Sequence, residues 1–317
     1  MAITIKDIAK ELGVSAAAVS KALNDRPGIG LPLKLRIKKK AQELGYAPYL
    51  KARQTGMYDR SFKYIAVIYA RAGEHLVGEI DTGIREAIKD SGFYELHYTV
   101  DVYRDLYDEQ RKEIFLDKII SEKGVAGLIT AFLNLSSPTI AKLQKNNIPV
   151  VLLNNYSDYG QCVVIDNIEA SYKVTKKLIE LGHKKIGLVM PEEFKELVWE
   201  DRLEGYKRAL KEDGLTYDPY LIIYEHTFDL KEAGLATKVL LEREPSVTAI
   251  IYGSDLQAYG GLKMLQELGK NIPDDIAVIG FDDMPFSRIS NPPLASVRQP
   301  MRKMGQVGAQ LLLEAIS

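Results

Sequence analysis

The 317-residue chain is longer than one hydrophobic core ordinarily organises, since single cores stop growing near ~250–300 residues, so two or three folded units are expected. Its 46% hydrophobic and 27% charged residues fit a soluble globular protein, and no apolar run approaches the ~18 residues with which a helix spans a bilayer, so a soluble protein is expected. The net charge of −1 conceals a division: residues 1–60 carry twelve Lys or Arg against five Asp or Glu, or +7, and residues 61–317 carry −8. A small basic module on an acidic body is the footprint of a nucleic-acid reader attached to something else; a chance cluster of solvated charge runs is the bland alternative. Near the start, Asp7 stands where a signal peptide needs apolar residues, and Cys162 has no second cysteine to pair with, so a reducing cytoplasm is expected.

In chain order, Thr4 is a good N-cap for a helix on which Ile5, Ile8, Ala9 and Leu12 share a face, ending at Gly13. After Val14, Ser15 caps a second helix that turns Val19, Ala22 and Leu23 inward and Ala16, Ala17, Ser20 and Lys21 outward. A third helix, roughly 33–44, adds Leu33, Ile37, Ala41 and Leu44 to the core and leaves Lys34, Arg36, Lys38, Lys39 and Lys40 wet. Two short helices joined at Gly-Val-Ser predict a helix-turn-helix whose second helix lies in the major groove. Ala16, Ala17 and Lys21 then face base edges, with hydrogen-bonded readout falling on Lys21 because alanine offers only a methyl contact. Thr4, Ser15, Ser20 and Asn24 are placed for phosphates, with helix capping the equal alternative for Thr4 and Ser15.

The runs Thr4-Ile5-Lys6-Asp7-Ile8-Ala9, Gly13-Val14-Ser15, Val19-Ser20-Lys21-Ala22-Leu23-Asn24, Pro27-Gly28 and Leu44-Gly45-Tyr46-Ala47-Pro48 resemble the head of the lactose-repressor and galactose-repressor family of bacterial transcription regulators. The resemblance implies a hinge helix that folds on the operator and wedges a leucine into the minor groove. It adds Tyr46, Leu50, Arg53 and Thr55 to the DNA-contacting set. Thr55 stands where that leucine would sit, so Leu50 or Met57 is the substitute wedge, and Arg53 suits a narrow minor groove. Gly30-Leu31-Pro32 replaces the family's serine cap, which shifts or frays the start of the third helix.

Beyond residue 60, apolar runs at 64–70, 125–130, 150–153, 186–189, 249–252 and 277–281 alternate with amphipathic helices. Such runs imply parallel sheets covered on both faces, and their number implies two. Ligands of doubly wound sheets bind at the carboxyl ends of strands. Asp166-Asn167, Leu181-Gly182-His183, Arg202-Leu203-Glu204-Gly205-Tyr206, Ser254-Asp255, Ile272-Pro273 through Asp282-Asp283, and Pro292-Pro293-Leu294 with Arg298-Gln299-Pro300 are similar to the same family's effector domain, itself similar to periplasmic sugar-binding proteins. The expected architecture is therefore a small all-α helix-turn-helix headpiece (1–47), a hinge or linker (48–60), and a two-lobed α/β periplasmic-binding-protein-like domain (61–317). Lobe 1 takes about 61–157 plus 300–317 and lobe 2 about 158–299. The resemblance also implies a further strand or two after the helix at 301–316.

Effector contacts implied by the resemblance fall on Arg202, Asp255, Phe228 and Asn154. Arg202 offers a planar donor fork, Asp255 accepts hydroxyls, Phe228 offers a stacking face, and Asn154 donates and accepts. An ion pair with Glu200 or Asp201 is the alternative for Arg202, and core packing for Phe228. Tyr69, Arg71 and Trp199 are weaker candidates at strand ends and loops, His183 reads as a turn cap, and Asp282-Asp283 as a satisfied turn. No metal spacing, nucleophile elbow or phosphate loop is visible, so neither an enzyme nor a metal or other cofactor is expected. A transport binding protein would lack the basic headpiece; control by a docking partner protein stays open. The expectation is a cytoplasmic homodimer, nucleoid-associated when bound to a pseudo-palindromic operator of about 14–20 base pairs, and controlled by a sugar or sugar derivative.

Overall fold

Thr4 opens helix α1 (Ile5–Leu12) through a capping box: its hydroxyl accepts from the Asp7 amide, and Asp7 reaches back to the Thr4 amide at 2.8 Å. Gly13, at φ 63°, ends the helix in the left-handed conformation that glycine tolerates. Helices α2 (Ala16–Leu23) and α3 (Leu31–Glu43) pack with it around Ile8, Ala9, Val19, Ala22, Ile37 and Ala41. The third helix starts at Leu31, earlier than its apolar spacing predicted, because Pro32 falls in the first turn, where its missing N–H has no helical partner to lose. The computed structural model describes residues 3–23, 28–44, 46, 63–69, 74–99, 109–122, 124–133, 135–191, 197–225 and 229–316. No helix among them is long and apolar enough to cross a membrane.

The chain divides into two compact units, Met1–Phe62 and Lys63–Ser317. The second runs β1 (Lys63–Tyr69), α4 (Glu74–Ile88), β2 (Phe93–Thr99), α5 (Glu109–Ser121), β3 (Val125–Ala131), α6 (Ser137–Lys145), β4 (Val150–Leu153) and β5 (Gln161–Val163). It continues through α7 (Asn167–Glu180), β6 (Ile186–Pro191), α8 (Leu197–Glu212), β7 (Ile222–Glu225), α9 (Leu230–Arg243), β8 (Ala249–Tyr252), α10 (Asp255–Glu267), β9 (Ala277–Asp282), β10 (Ala295–Arg298) and α11 (Met301–Ile316). Two five-stranded sheets result, ordered β2-β1-β3-β4-β5 and β10-β9-β8-β6-β7, with every pairing parallel. The second order is the first repeated by the next five strands, so each lobe is one doubly wound unit with its own switch point, between β1 and β3 and between β6 and β8.

Apolar residues fill both faces of each sheet. In lobe 1, Ile80, Ile84, Met304 and Leu312 of α4 and α11 cover one face, and Leu116, Ile119, Ile140 and Leu143 of α5 and α6 cover the other. In lobe 2, α9 and α10 supply Leu240, Ala258 and Leu265, and α7 and α8 supply Leu178, Tyr206 and Leu210. The division between lobes differs from the expected one. Residues 161–163 pair with β4, Leu152 beside Cys162, so the chain leaves the first sheet only after Val163. It returns after Arg298, through Gln299 and Pro300.

Helix α11 brings lobe 1 its last layer by lying unusually close to α4. A Cβ on Gly83 would stand 2.0 Å from the Arg302 carbonyl oxygen, and one on Gly305 would stand 2.1 Å from that of Ile80. Backbone cannot yield as a side-chain tip can. Gly305→Ala is therefore expected to destabilise the second unit by about 1–3 kcal/mol, read as a fall of several degrees in its calorimetric Tm, with little effect on headpiece melting.

Candidate functional site

On the headpiece, α2 exposes Ala17 and Lys21 and leaves Ser20 half-buried, whereas Ala16, expected to face outward, packs partly against the helical core. Both capping alternatives are occupied. The Thr4 hydroxyl donates to Asp7 at 2.6 Å while accepting its amide, which commits its proton and removes it as a phosphate donor. The Ser15 hydroxyl accepts from the Ala18 amide at 3.1 Å and keeps its own proton to donate. Tyr46 packs partly buried against the same core. Asn24, Leu50, Arg53 and Thr55 lie outside the described residues, as do Arg71 and Phe228.

The second site grows from the switch point of lobe 2. Arg202, on α8, is 3% exposed, and a buried guanidinium is tolerable only when its donors are met. Its Nε donates to Asn167 Oδ1 at 2.9 Å and its Nη1 to the Gly253 carbonyl just after β8. Its plane lies 4.1 Å from the Phe281 ring centroid and 4.7 Å from that of Trp199, which shields it further. Asp201, one of the two alternative partners for Arg202, accepts from the Tyr156 hydroxyl at 2.8 Å.

The acid that answers Arg202 is Asp282, at the carboxyl end of β9. Its carboxylate accepts from the Gln299 side-chain amide and the Asp255 backbone N–H, and feels the Arg202 charge. Burial nevertheless dominates and pushes its pKa up to about 7. The backbone there is strained, with φ 120° at Asp282 and 52° at Asp283, which aims consecutive acids in different directions. Asp283 turns to Arg298 at 2.5 Å, and that bond holds its carboxyl below the usual range. At the end of β7, Glu225 is 3% exposed, pushed up to about 7 by burial, and accepts from Gln257 through one oxygen while the other has no partner among the described residues.

Asp255 has a different role from the one expected. It is fully buried, and its two oxygens accept from Ser287 and Ser296 hydroxyls at 2.5 Å each and the Met284 amide at 2.8 Å. That carboxylate ties the segment after β9 to the start of α10, and Gly280 is required beside it, since a Cβ there would meet Asp255 Oδ1 at 2.2 Å. Trp199 stays with the Arg202 group. Tyr69 does not: its hydroxyl donates to Asp81 at 3.1 Å, and its ring stacks on His97.

Lobe 1 contributes Asn154 and Asn155 just after β4. Asn154 holds φ 54° and is 5% exposed, its backbone N–H bound to the Val163 carbonyl while its side-chain oxygen has no partner among the described residues. Asn155 Nδ2 and Gln299 Oε1 are likewise buried and unpaired. Buried polar atoms seldom remain unsatisfied, so these donors and acceptors call for water or ligand. The Tyr156–Asp201 bond joins the segment after β4 to α8, and burial beside Asp201 pushes the Tyr156 hydroxyl up to about 12. At these strand ends the Arg202 guanidinium, the Trp199 and Phe281 rings and the Asp282 carboxylate come together, where doubly wound sheets bind ligands. Of the residues expected to hold an effector, the structure groups Arg202 with Trp199 and buries Asn154 after β4; Asn167, Glu225, Asp282 and Gln299, buried or bonded at these strand ends, are not among those expected.

Known proteins share both halves of this plan. Residues 4–49 match the model described as bacterial regulatory proteins, lacI family, and residues 175–317 match the periplasmic binding protein-like domain. The chain is 32% identical over 316 residues to catabolite control protein A of Priestia megaterium, covering 98% of this chain and 92% of that protein. The chain belongs to the lacI family of bacterial regulatory proteins. Among solved structures, a complex of the transcriptional regulator CelR with cellobiose is similar over 99% of this chain and 93% of its own, at 26% identity and a TM-score of 0.70. A LacI family regulator from Enterococcus faecium with bound ribose is similar over 80% and 90%, at 25% identity and a TM-score of 0.68. This lacI-family chain is accordingly a DNA-binding transcription regulator: a helix-turn-helix region joined to an effector-binding domain of two parallel sheets.

The raised acids fix a pH dependence for that domain. Asp282 and Glu225 carry pKa values of about 7 when folded, against 3.8 and 4.5 ordinarily. Between those limits the folded state binds more protons, so their contribution is complete at low pH and is lost as pH rises through about 7. Calorimetry from about pH 5 to 8 should show the Tm of the effector domain falling less steeply in Asp282→Asn/Glu225→Gln than in the unaltered protein.

Proposed function

We propose that this regulator binds a pseudo-palindromic operator as a homodimer in the bacterial cytoplasm, and that a neutral polyhydroxylated ligand, a sugar or sugar derivative, sets its operator affinity. The observation that carries the ligand class is the buried Arg202 guanidinium against the Trp199 ring at the strand ends, with the Asp282 carboxylate near enough to feel its charge. A guanidinium donates to ring and hydroxyl oxygens, a carboxylate accepts from hydroxyls, and an indole face covers the C–H side of a sugar ring. Cellobiose and ribose in the two similar solved structures support the same class. The protein acts as a binder rather than an enzyme: Asp255 is locked by three donors, and Asp282 is held by amides.

Control follows from differential affinity. A ligand that contacts Arg202 and Asp282 from lobe 2 and the Asn154 amide from lobe 1 favours the arrangement in which both lobes reach it, and shifts the population of operator-competent protein by that difference. Calorimetric titration with a panel of mono- and disaccharides, repeated with operator DNA present, tests ligand and sign together. Binding of one panel member should weaken at least about tenfold in Asp282→Asn and strengthen as pH rises through about 7, where Asp282 becomes the anion. On DNA, Lys21→Ala is expected to relax preference at one base position, whereas Lys39→Ala on α3 weakens all sequences alike and lowers the salt slope by about one. Identical selectivity changes in both variants would contradict the assignment of α2 as the reading helix.

A further inference from the structure

A second cluster of ligating groups lies on lobe 1, apart from the Arg202 site. Helix α4 presents Asp81, and β2 presents Glu95 and His97, two residues apart and so on one face of the strand. Parallel register sets Glu95 beside Ile65 and His97 beside Val67, on the face that α4 covers. His97 Nε2 stands 3.3 Å from Asp81 Oδ1 and 3.2 Å from Glu95 Oε2, and one ligand atom from each of the three lies within 4.8 Å of the others. The Tyr69 hydroxyl reaches Asp81 Oδ1 at 3.1 Å.

We propose that Asp81, Glu95 and His97 form a binding site for a divalent transition-metal cation of the zinc type. Donors about 2.0–2.2 Å from a tetrahedral ion lie roughly 3.3–3.6 Å apart, close to the spacings His97 Nε2 already makes with both carboxylates. One imidazole nitrogen carries at most one proton and serves two carboxylates poorly, whereas one cation serves all three groups. Glu95 supplies an independent indication: its side chain is 10% exposed, and its buried Oε1 has no partner among the described residues. An imidazole beside two carboxylates favours zinc, cobalt or nickel over magnesium or calcium. Arg85 occupies the cation's place in part, paired with Asp81, but its side chain is 59% exposed and free to swing outward. Motif reading offers no warning of this site, because its ligands come from a helix and an edge strand with no Cys or His spacing.

The test is titration of the full-length protein with zinc chloride against a chromophoric chelator, and with cobalt chloride followed by its d–d absorption. Expected are one zinc per chain, a cobalt spectrum without thiolate charge transfer, binding kept in Cys162→Ser, and loss of at least about tenfold in His97→Ala and in Glu95→Gln. Arg85→Ala, which removes the competing charge at an exposed position, should tighten zinc binding severalfold and supports the site even where His97→Ala fails to fold. Absence of one-to-one binding, binding unchanged in a folded His97→Ala, or binding lost in Cys162→Ser would overturn it.

Discussion

The buried guanidinium of Arg202 is the contact on which the effector half of this molecule depends. It touches α7 through Asn167, the end of β8 through Gly253, the end of β9 through Phe281 and the Asp282 charge, and its own helix through Trp199. A positive charge so deeply placed demands compensation. Two raised acids, Asp282 and Glu225, stand at the carboxyl ends of strands in the same sheet, their protonation altered by burial. Stability and binding capacity are thus in tension there, as strained and under-satisfied groups at a ligand site ordinarily are.

Repetition of one topology gives each lobe its own switch point, and the chain passes between the two sheets at 164–166 and 299–300. A part-buried hydrogen bond from Tyr156, after β4, to Asp201, on α8, joins one lobe to the other. Gln299 sits on a crossing itself and holds Asp282, so whatever alters Asp282 is felt where the chain passes between lobes.

How much of this was legible in the sequence depended on burial. The six apolar runs read as strands are the three inner strands of each sheet, β1, β3 and β4, and β6, β8 and β9. The four edge strands are harder to read and escaped: Phe93–Thr99 is broken by Glu95 and His97, Ala295–Arg298 is exposed at both ends, and Gln161–Val163 and Ile222–Glu225 are only three and four residues long. That oversight moved the lobe boundary, since β5 was assigned to the wrong side. In the headpiece, cap and spacing rules located all three helices, because Thr4, Gly13 and Ser15 act through local chemistry. The site acids were harder. Asp255 follows a strand and begins a helix, which looks like a ligand position, yet three donors from the 284–296 segment consume it; Asp282 looks like a turn residue, and only the strained backbone aims it inward. Neither fact is local in sequence.

The central claim is that the Arg202–Asp282 edge receives the effector. Hydrogen-exchange mass spectrometry on the full-length protein, with and without the saccharide that calorimetry selects, measures this most directly. Protection is predicted at the start of α8 around 199–203, after β8 at 253–257 and at 281–283, together with 153–156 of lobe 1. Protection confined to the outer helices α5, α6 or α9, with those segments unchanged, would contradict it.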